Sequence, residues 1–259
     1  MLSSISAFFP CYNDAQTIRG LVLRVDQALR VITNDYEIIV VNDGSTDASM
    51  EVLRATQSEV PALRIVEHEH NMGYGSALIS GFKAATRDYV FYTDGDGQYD
   101  PGEIIVLADA MKPGIDVVNG YKSTREDAWY RKLVGGIYQR LARSMFSLPI
   151  RDVDCDFRLM RREALRDIEL ESTDGAICVE LVRRLRDAGA RMTELPVTHF
   201  ARAYGTSQFF KPKRIIRAVF GVGHWYVRLV LCREQRRRTA KAEKQRLALA
   251  GSGTTKTLD

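Results

Sequence analysis

The chain has 259 residues, 45% of them hydrophobic, which suffices for the core of one large domain or of one domain with an appendage. A formal net charge of only +4 argues against a general nucleic-acid-binding protein. The four scattered cysteines form no Cys-x-x-Cys pair, and no basic stretch with an apolar core opens the chain, so we expect reduced thiols in a cytosolic setting and no signal peptide.

Strand-like apolar runs alternate with helical periodicity through the first half of the chain. The expected strands are Ile5 to Phe9, Tyr36 to Val41, Leu63 to Val66, Tyr89 to Tyr92 and Asp116 to Asn119. The segments between them favour helices, with Asn13 or Asp14 capping the first and Ser45 or Thr46 the second. This alternation predicts an α/β domain built on a mostly parallel sheet with helices on both faces.

Acidic residues directly follow two of these strands. Asp43 stands at the carboxyl end of the second strand and Asp94 at that of the fourth. Because ligands of open α/β sheets bind just outside the carboxyl ends of the strands, we expect the two residues to share one crevice. Gly73 and Gly75 precede a further helix, where they either expose backbone N–H groups to an anion or allow close packing.

The fourth strand runs into the sequence Thr93-Asp94-Gly95-Asp96-Gly97-Gln98. Carboxylates spaced by one glycine can turn toward one point, because glycine frees the backbone. The oxygen ligands that this loop offers are Asp94, Asp96 and Gln98. They suit Mg²⁺ or Mn²⁺, and such ions usually also hold substrate phosphates. The alternative is a plain turn, in which Asp and Gly are common.

Four ordered motifs give residues 1 to about 210 a family resemblance. They are Pro10-Cys11-Tyr12-Asn13-Asp14, Val41-Asn42-Asp43-Gly44-Ser45-Thr46-Asp47, Asn71-Met72-Gly73-Tyr74-Gly75 and Asp94-Gly95-Asp96-Gly97-Gln98. In this order they resemble the family-2 inverting glycosyltransferases of the GT-A fold, and most of all the polyprenyl-phosphate sugar transferases such as dolichyl-phosphate mannose synthase. Asp14 and Asn42 stand where that family often has Glu and Asp, which leaves the base preference open.

The resemblance implies a role for each matching residue of the nucleotide-sugar-binding half, residues 1–120. The residues that would hold the nucleoside of a nucleotide-sugar are Pro10, Tyr12, Asp14 and Asp43. Asp94 would lie beside the ribose and the metal, and Asp96 and Gln98 would bind the metal itself.

Residues 121–210 would then form the acceptor half. Asp156 is similar to the aspartate that the family places at the reaction centre, and Arg158 either pairs with it or reaches the acceptor. Lys122 matches a position near the donor phosphates. Arg131 matches one that faces the lipid phosphate, although it could equally be a solvated surface charge, and Arg125 is a further substrate-binding candidate.

A loop near the end of this half resembles the family's mobile Arg-x-x-Gly-x-Ser segment, which closes over the donor pyrophosphate. Arg202 is its candidate for bidentate phosphate binding, and Ser207 is its serine. Gln208 stands where relatives often have lysine. We interpret His199 as structural and expect Glu180 to orient a neighbour.

The chain becomes basic after Lys211. On a helix, residues 215–232 would show a narrow charged stripe, which opposes a membrane span, and a broad apolar face with Trp225 and Tyr226. This favours an amphipathic tail helix, residues 211–246, lying in a membrane interface rich in anionic lipids. The alternatives are packing on the catalytic domain or on a second subunit in a homo-oligomer. Residues 247–259 are expected to be disordered.

Together these features predict inverting transfer of a sugar from GDP-mannose or a UDP-hexose to a polyprenyl or dolichyl phosphate, at the cytoplasmic face of the membrane. A soluble or glycan hydroxyl acceptor would instead need a carboxylate to take its proton, and Asp156 is the candidate. Two other classes are a sugar-nucleotide pyrophosphorylase, whose glycine-rich basic N-terminal loop is absent here, and a non-catalytic nucleotide-sugar-binding scaffold.

Overall fold

The computed structural model describes residues 2–123, 140–201, 221 and 223–252, with side chains up to residue 246. One sheet contains seven strands: β1 (Ile5–Cys11), β2 (Tyr36–Asn42), β3 (Leu63–Glu67), β4 (Tyr89–Thr93), β5 (Val117–Lys122), β6 (Phe157–Arg161) and β7 (Met192–Val197). Their order across the sheet is β3-β2-β1-β4-β6-β5-β7. Only β6 runs antiparallel to its neighbours β4 and β5, so the predicted mostly parallel sheet is confirmed.

Helices cover both faces of this sheet. They are α1 (Ile18–Ile32), α2 (Ser49–Glu59), α3 (Tyr74–Ala84), α4 (Ile104–Ala110), α5 (140–146), α6 (Ile177–Asp187) and, after a π-helical turn at Tyr226–Leu231, α7 (Glu234–Ser252). Successive side chains of β1 point to opposite faces of the sheet, so alternate residues of β1 belong to two different hydrophobic cores. Phe9 packs with α1 and α4, whereas Phe8 packs with α3 and α6.

Helices α1 and α2 both begin later in the chain than the sequence predicts. Helix α1 begins at Ile18 rather than near Asn13, because Asn13 has a left-handed backbone (φ 59°) that cannot start a helix. Its side-chain oxygen instead accepts hydrogen bonds from the backbone N–H groups of Thr46 (2.8 Å) and Asp47 (3.3 Å). Helix α2 begins at Ser49, so the predicted cap residues serve to tie together the loops after β1 and β2.

The tail packs against the domain, which is the alternative to the membrane-interface prediction. Trp225 is only 5% exposed and Leu229 is fully buried, in a third apolar cluster with α5 and α6. The guanidinium groups of Arg184 and Arg228 lie over the Trp225 ring, at 5.5 and 4.9 Å from its centre. Trp225 is therefore not available to a membrane.

Several basic residues of the tail form ion pairs with the domain. Arg228 contacts Glu171 of the domain at 2.8 Å, and it also contacts Glu234 of α7, within the tail, at 2.7 Å. Arg236 contacts Asp187 at 3.1 Å, and further along α7 Arg246 contacts Asp167. The backbone of α7 continues to Ser252, into the segment 247–259 that the sequence predicts to be disordered. Among the helices that the structure describes, none has the length and apolar character needed to cross a membrane.

Candidate functional site

The carboxyl ends of β1 and β4 meet at the point where the strand order of the sheet reverses. Such switch points are where open α/β sheets bind ligands. The loop after β4 lies against the loop after β1: a Cβ atom added to Gly95 would be 2.5 Å from the Pro10 carbonyl oxygen and 3.4 Å from Asp14 Oδ2. The Thr17 hydroxyl also donates to the Gly95 carbonyl over 2.8 Å. Only glycine allows this approach, which brings the predicted nucleoside and metal residues together.

The acidic loop after β4 is held at both of its ends. Asp94 Oδ1 accepts a hydrogen bond from the Tyr74 hydroxyl at 2.8 Å, and Asp96 Oδ1 accepts one from the Gln98 backbone N–H at 3.0 Å. Gln98 exchanges two hydrogen bonds with Phe200: its carbonyl accepts from the Phe200 N–H (2.8 Å), and its side-chain Nε2 donates to the Phe200 carbonyl (3.1 Å). Its amide oxygen Oε1 is the atom left to serve as a ligand.

The chemistry of this loop fits a divalent cation. Burial, and then the charges of Asp156 and Asp96, raise the pKa of Asp94 well above its usual range. Concentrated carboxylates of this kind bind a cation favourably, because the cation relieves their repulsion. Within the described ranges no three His, Cys, Asp or Glu residues are grouped so as to hold a metal, so the donors would be two carboxylates and the Gln98 amide oxygen. All three are hard oxygen ligands suited to Mg²⁺ or Mn²⁺.

The predicted nucleoside residues occupy two environments. Pro10 is buried at the end of β1, whereas Tyr12 is 41% exposed and its backbone N–H donates to Asp14 Oδ2 at 3.1 Å. Asp43 is almost fully buried. One of its oxygens lies 2.7 Å from His68 Nδ1, and its two oxygens accept hydrogen bonds from the backbone N–H groups of residues 72 and 73. In this structure Asp43 braces the glycine-containing loop before α3.

Lys122 lies among acids. Its Nζ donates to the Asp154 carbonyl at 3.0 Å, and its backbone N–H donates to Asp152 Oδ2 at 3.3 Å. Burial opposes its charge, but the surrounding acids, Asp152 foremost, raise the pKa of Lys122. Burial also raises the pKa of Asp154 to about 7. The donor-phosphate role predicted for Lys122 must therefore compete with these neighbours.

Arg158 is fully buried on β6, where it faces β4 and β5. Its Nε donates to Asn119 Oδ1 at 2.5 Å, and its two terminal nitrogens donate to the Tyr92 hydroxyl and the Val153 carbonyl. Nη1 lies 3.6 Å from Asp156 Oδ1. Of the two predicted alternatives the structure shows the pair with Asp156, because a fully buried guanidinium cannot reach out to an acceptor.

Three further polar side chains of the site were not identified from the sequence. Tyr74 contacts Asp94, Tyr92 contacts Asp156, and the Cys178 thiol lies 3.2 Å from Asp156 Oδ1. From the sequence alone, Tyr92 is indistinguishable from the other apolar residues of its strand. Cys178 likewise fits the buried face of a helix. Glu180 does orient neighbours, as expected: it is buried and accepts from the backbone N–H groups of Glu171 and Ser172 and from Arg184.

Four predicted site residues lie outside the described residues: Arg125, Arg131, Arg202 and Ser207. Their roles stay predictions. The residues that are described bring Asp94, Asp96, Gln98 and Asp156 to one end of the sheet, next to the Pro10–Asp14 loop.

A protein-family model of glycosyl transferase family 2 matches residues 6–169, more than half of the chain. The chain belongs to glycosyl transferase family 2. This range contains the described site residues from Pro10 to Arg158, whereas Cys178 on α6 lies beyond it.

Two curated proteins are similar to this chain over most of its length. An undecaprenyl-phosphate 4-deoxy-4-formamido-L-arabinose transferase of Serratia proteamaculans is 32% identical over 219 residues, covering 83% of this chain and 65% of the relative. The protein of the same name from Aeromonas hydrophila is 31% identical over 211 residues, covering 79% and 62%. The chain thus spans just under two thirds of the length of these relatives.

Solved structures agree on the fold. Glucosyl-3-phosphoglycerate synthase of Mycobacterium tuberculosis, in complex with Mn²⁺, UDP and phosphoglyceric acid, superposes with a TM-score of 0.61 at 16% identity, over 89% of this chain and 78% of that one. Its complex with Mg²⁺ and UDP gives a TM-score of 0.62 at 17% identity, over 85% and 79%. At these identities the likeness establishes the shared GT-A fold.

Proposed function

We propose that this chain is a metal-dependent inverting glycosyltransferase that moves a sugar from a nucleoside diphosphate to a polyprenyl phosphate. The observation that carries the proposal is the close approach of Gly95 to Pro10 and Asp14, which places the acidic loop beside the predicted nucleoside loop at the switch point. The family match and the undecaprenyl-phosphate transferases among its relatives support the acceptor class.

Each residue of the acidic loop has a distinct task in this proposal. Asp94, Asp96 and Gln98 would hold a Mg²⁺ or Mn²⁺ ion, and Asp94 would also lie beside the ribose. Bound there, the ion would neutralise negative charge on the departing diphosphate, which is the main electrostatic demand of the transfer. Tyr74 orients Asp94 for this purpose, and the Phe200 backbone fixes the Gln98 side chain.

The charge of the described cleft constrains how a phosphate acceptor could bind. Among the described residues, the cations near the carboxylates of Asp94, Asp154 and Asp156 are Lys122 and the buried Arg158. These carboxylates repel a phosphate, so a phosphate acceptor needs cations beside it. Arg125, Arg131 and Arg202 are the proposed sources, which gives the resemblance-based roles of these three residues an electrostatic reason.

Asp156 would orient or tune the site if the acceptor is a lipid phosphate, since that oxygen is already anionic. With a hydroxyl acceptor, Asp156 would have to accept the proton. Its place beside the acidic loop is compatible with either chemistry, and the acceptor therefore has to be identified by experiment.

We also propose that the tail attaches the protein peripherally to the cytoplasmic face of a membrane. Trp225 is used in packing, so the contact would be made by other groups. Val227 and Leu231 are 48% and 63% exposed. Exposed basic residues follow, namely Arg233 just before α7 and Arg237, Lys241 and Lys244 on it. Exposed apolar residues next to basic ones favour a surface rich in anionic lipid.

The deciding assay is release of nucleoside diphosphate from a panel of GDP- and UDP-sugars, with Mg²⁺ or Mn²⁺, with and without a polyprenyl phosphate in detergent. Release that requires the lipid supports the proposal and identifies the donor. Slow release that is indifferent to the lipid would retain the transferase and reject the lipid acceptor.

A further inference from the structure

Asp156 is held by a hydrogen-bond network that reaches across three elements of the fold. The Tyr92 hydroxyl, on β4, donates to Asp156 Oδ1 at 3.1 Å. The Cys178 thiol, on the first turn of α6, lies 3.2 Å from the same oxygen. Arg158 on β6 donates to the Tyr92 hydroxyl and lies 3.6 Å from Asp156 Oδ1. All three contacts converge on Oδ1.

The two carboxylate oxygens of Asp156 have different surroundings. Tyr92, Arg158 and Cys178 are buried, and Asp156 itself retains 8% exposure. The contacts that described residues make with this carboxylate are therefore to Oδ1, and within the described part of the chain Oδ2 is the oxygen left to meet a substrate. A carboxylate held at one oxygen loses rotational freedom, so its other oxygen points in one direction.

Apart from its contact with Asp156, no role of Cys178 in the described structure requires a thiol. The described chain forms no disulfide, and Cys178 belongs to no metal-binding group of the described residues. A purely apolar residue would fill the same space on the buried face of α6, but it could not donate a hydrogen bond. The contact with Asp156 is what the thiol adds.

We propose that Cys178 is a positioning residue for the transfer reaction: its thiol donates to Asp156 Oδ1 and, together with Tyr92, aims Asp156 Oδ2 at the acceptor. This inference rests on the proposed function. It assigns to α6 a part in the reaction that none of the sequence motifs contains. Cys178 touches no substrate in this arrangement and acts only through Asp156.

The test compares Cys178→Ala, which removes the donor, with Cys178→Ser, which restores one. Val179→Ala is the matched control, because Val179 is its fully buried neighbour on α6 but packs in the cluster with α5 and the tail. We expect Cys178→Ala to lower kcat about tenfold, the range of one hydrogen bond to a charged group, with little change in donor KM. Cys178→Ser should stay within about threefold of the wild type, and Val179→Ala should keep kcat while lowering Tm.

A crystal structure of each variant separates this inference from the proposed function. Asp156 should keep its side-chain orientation in Cys178→Ser and lose it in Cys178→Ala, whether or not the wild type transfers a sugar to lipid. An undisturbed Asp156 in Cys178→Ala would overturn the inference. So would a kcat of Cys178→Ser as low as that of Cys178→Ala. Absence of any transfer by the wild type, with Asp156 displaced only in Cys178→Ala, would instead overturn the proposed function and leave the positioning contact standing.

Discussion

The hydroxyl of Tyr74 donates a 2.8 Å hydrogen bond to Oδ1 of Asp94, which joins the start of α3 to the acidic loop after β4. Burial, more than any other cause, raises the pKa of Tyr74 well above its usual range, so the hydroxyl stays protonated and remains a donor. The bond lowers the pKa of Asp94, against the burial and neighbouring charges that raise it. Tyr74 thus favours the ionised, metal-binding form of Asp94.

Tyr74→Phe should therefore weaken metal binding. Without the hydrogen bond the pKa of Asp94 rises further, and a protonated carboxyl does not bind a cation. We expect the Mn²⁺ affinity, measured by electron paramagnetic resonance, to fall about tenfold at neutral pH and more at lower pH. Tyr36→Phe is the matched control, since Tyr36 makes the same bond to Asp26 (2.7 Å) away from the site. Equal affinities in the two variants would refute the coupling.

Asp96→Ala should abolish metal-dependent turnover, because it removes one of the two carboxylates of the proposed ion site. The measurement is nucleoside diphosphate release against Mn²⁺ concentration, with the Mn²⁺ affinity determined in parallel. Asp109→Ala is a suitable control, as Asp109 is exposed on α4. Unchanged turnover of Asp96→Ala would contradict the metal assignment.

Asp156→Asn should lose both activity and stability. Arg158 is fully buried, and Asp156 is the acid in contact with it, so the variant leaves a buried charge without its counter-ion. Removing one partner of such a pair typically costs about 3–5 kcal/mol. Urea unfolding measures the loss. The double variant Asp156→Asn, Arg158→Met should recover much of the stability and none of the activity, and a single variant as stable as the wild type would contradict the pairing.

Asp154 gives the metal-free protein a distinctive pH dependence. Its pKa is raised from the usual value of 3.8 to about 7, chiefly by burial, so between these values the folded protein binds more protons than the unfolded chain. Stability should then fall as pH rises from about 4 to about 7. Asp154→Asn should remove this contribution, on the order of 2 kcal/mol between pH 5 and 8. Urea unfolding at several pH values checks it, and parallel profiles for the two proteins would refute it.

The tail predictions separate packing from membrane attachment. Trp225→Ala should destabilise the protein by about 3–5 kcal/mol, because Trp225 is buried in the apolar cluster with α5 and α6 and contacts two guanidinium groups. Val227→Ser together with Leu231→Ser should leave Tm nearly unchanged and reduce binding to anionic liposomes, since both residues are exposed. Undiminished liposome binding by this double variant would argue against the proposed contact surface.

The sequence predicted the sheet well because strand identity depends on local apolar runs. All five strands expected in the first half are present. The strand that contains Pro196, β7, lies at the edge of the sheet, where a residue without a backbone N–H is tolerated. Helix starts were predicted less well. Asn13 has the chemistry of a cap, but a left-handed backbone and contacts to a distant loop decide its role, and neither is encoded locally.

Site residues that belong to a sequence motif could be predicted from the sequence. Site residues that are brought together only by tertiary packing could not. Asp94, Asp96 and Gln98 stand out by their spacing, whereas Tyr92 and Cys178 become polar partners of Asp156 only when β4, β6 and α6 come together. The tail shows the same limit. An amphipathic helix has an apolar face whether it packs on a protein domain or lies in a membrane interface. Glu171, one of the acids that pair with the arginines of the tail, is far away in the sequence.

The most direct test of the central claim is nucleoside diphosphate release from GDP- and UDP-sugars, measured with Mn²⁺ in the presence and absence of a polyprenyl phosphate. The proposal predicts that one donor is turned over, that turnover requires both the lipid phosphate and the divalent cation, and that Asp96→Ala abolishes it. Release that proceeds equally without the lipid, or equally with a metal chelator, would contradict the account.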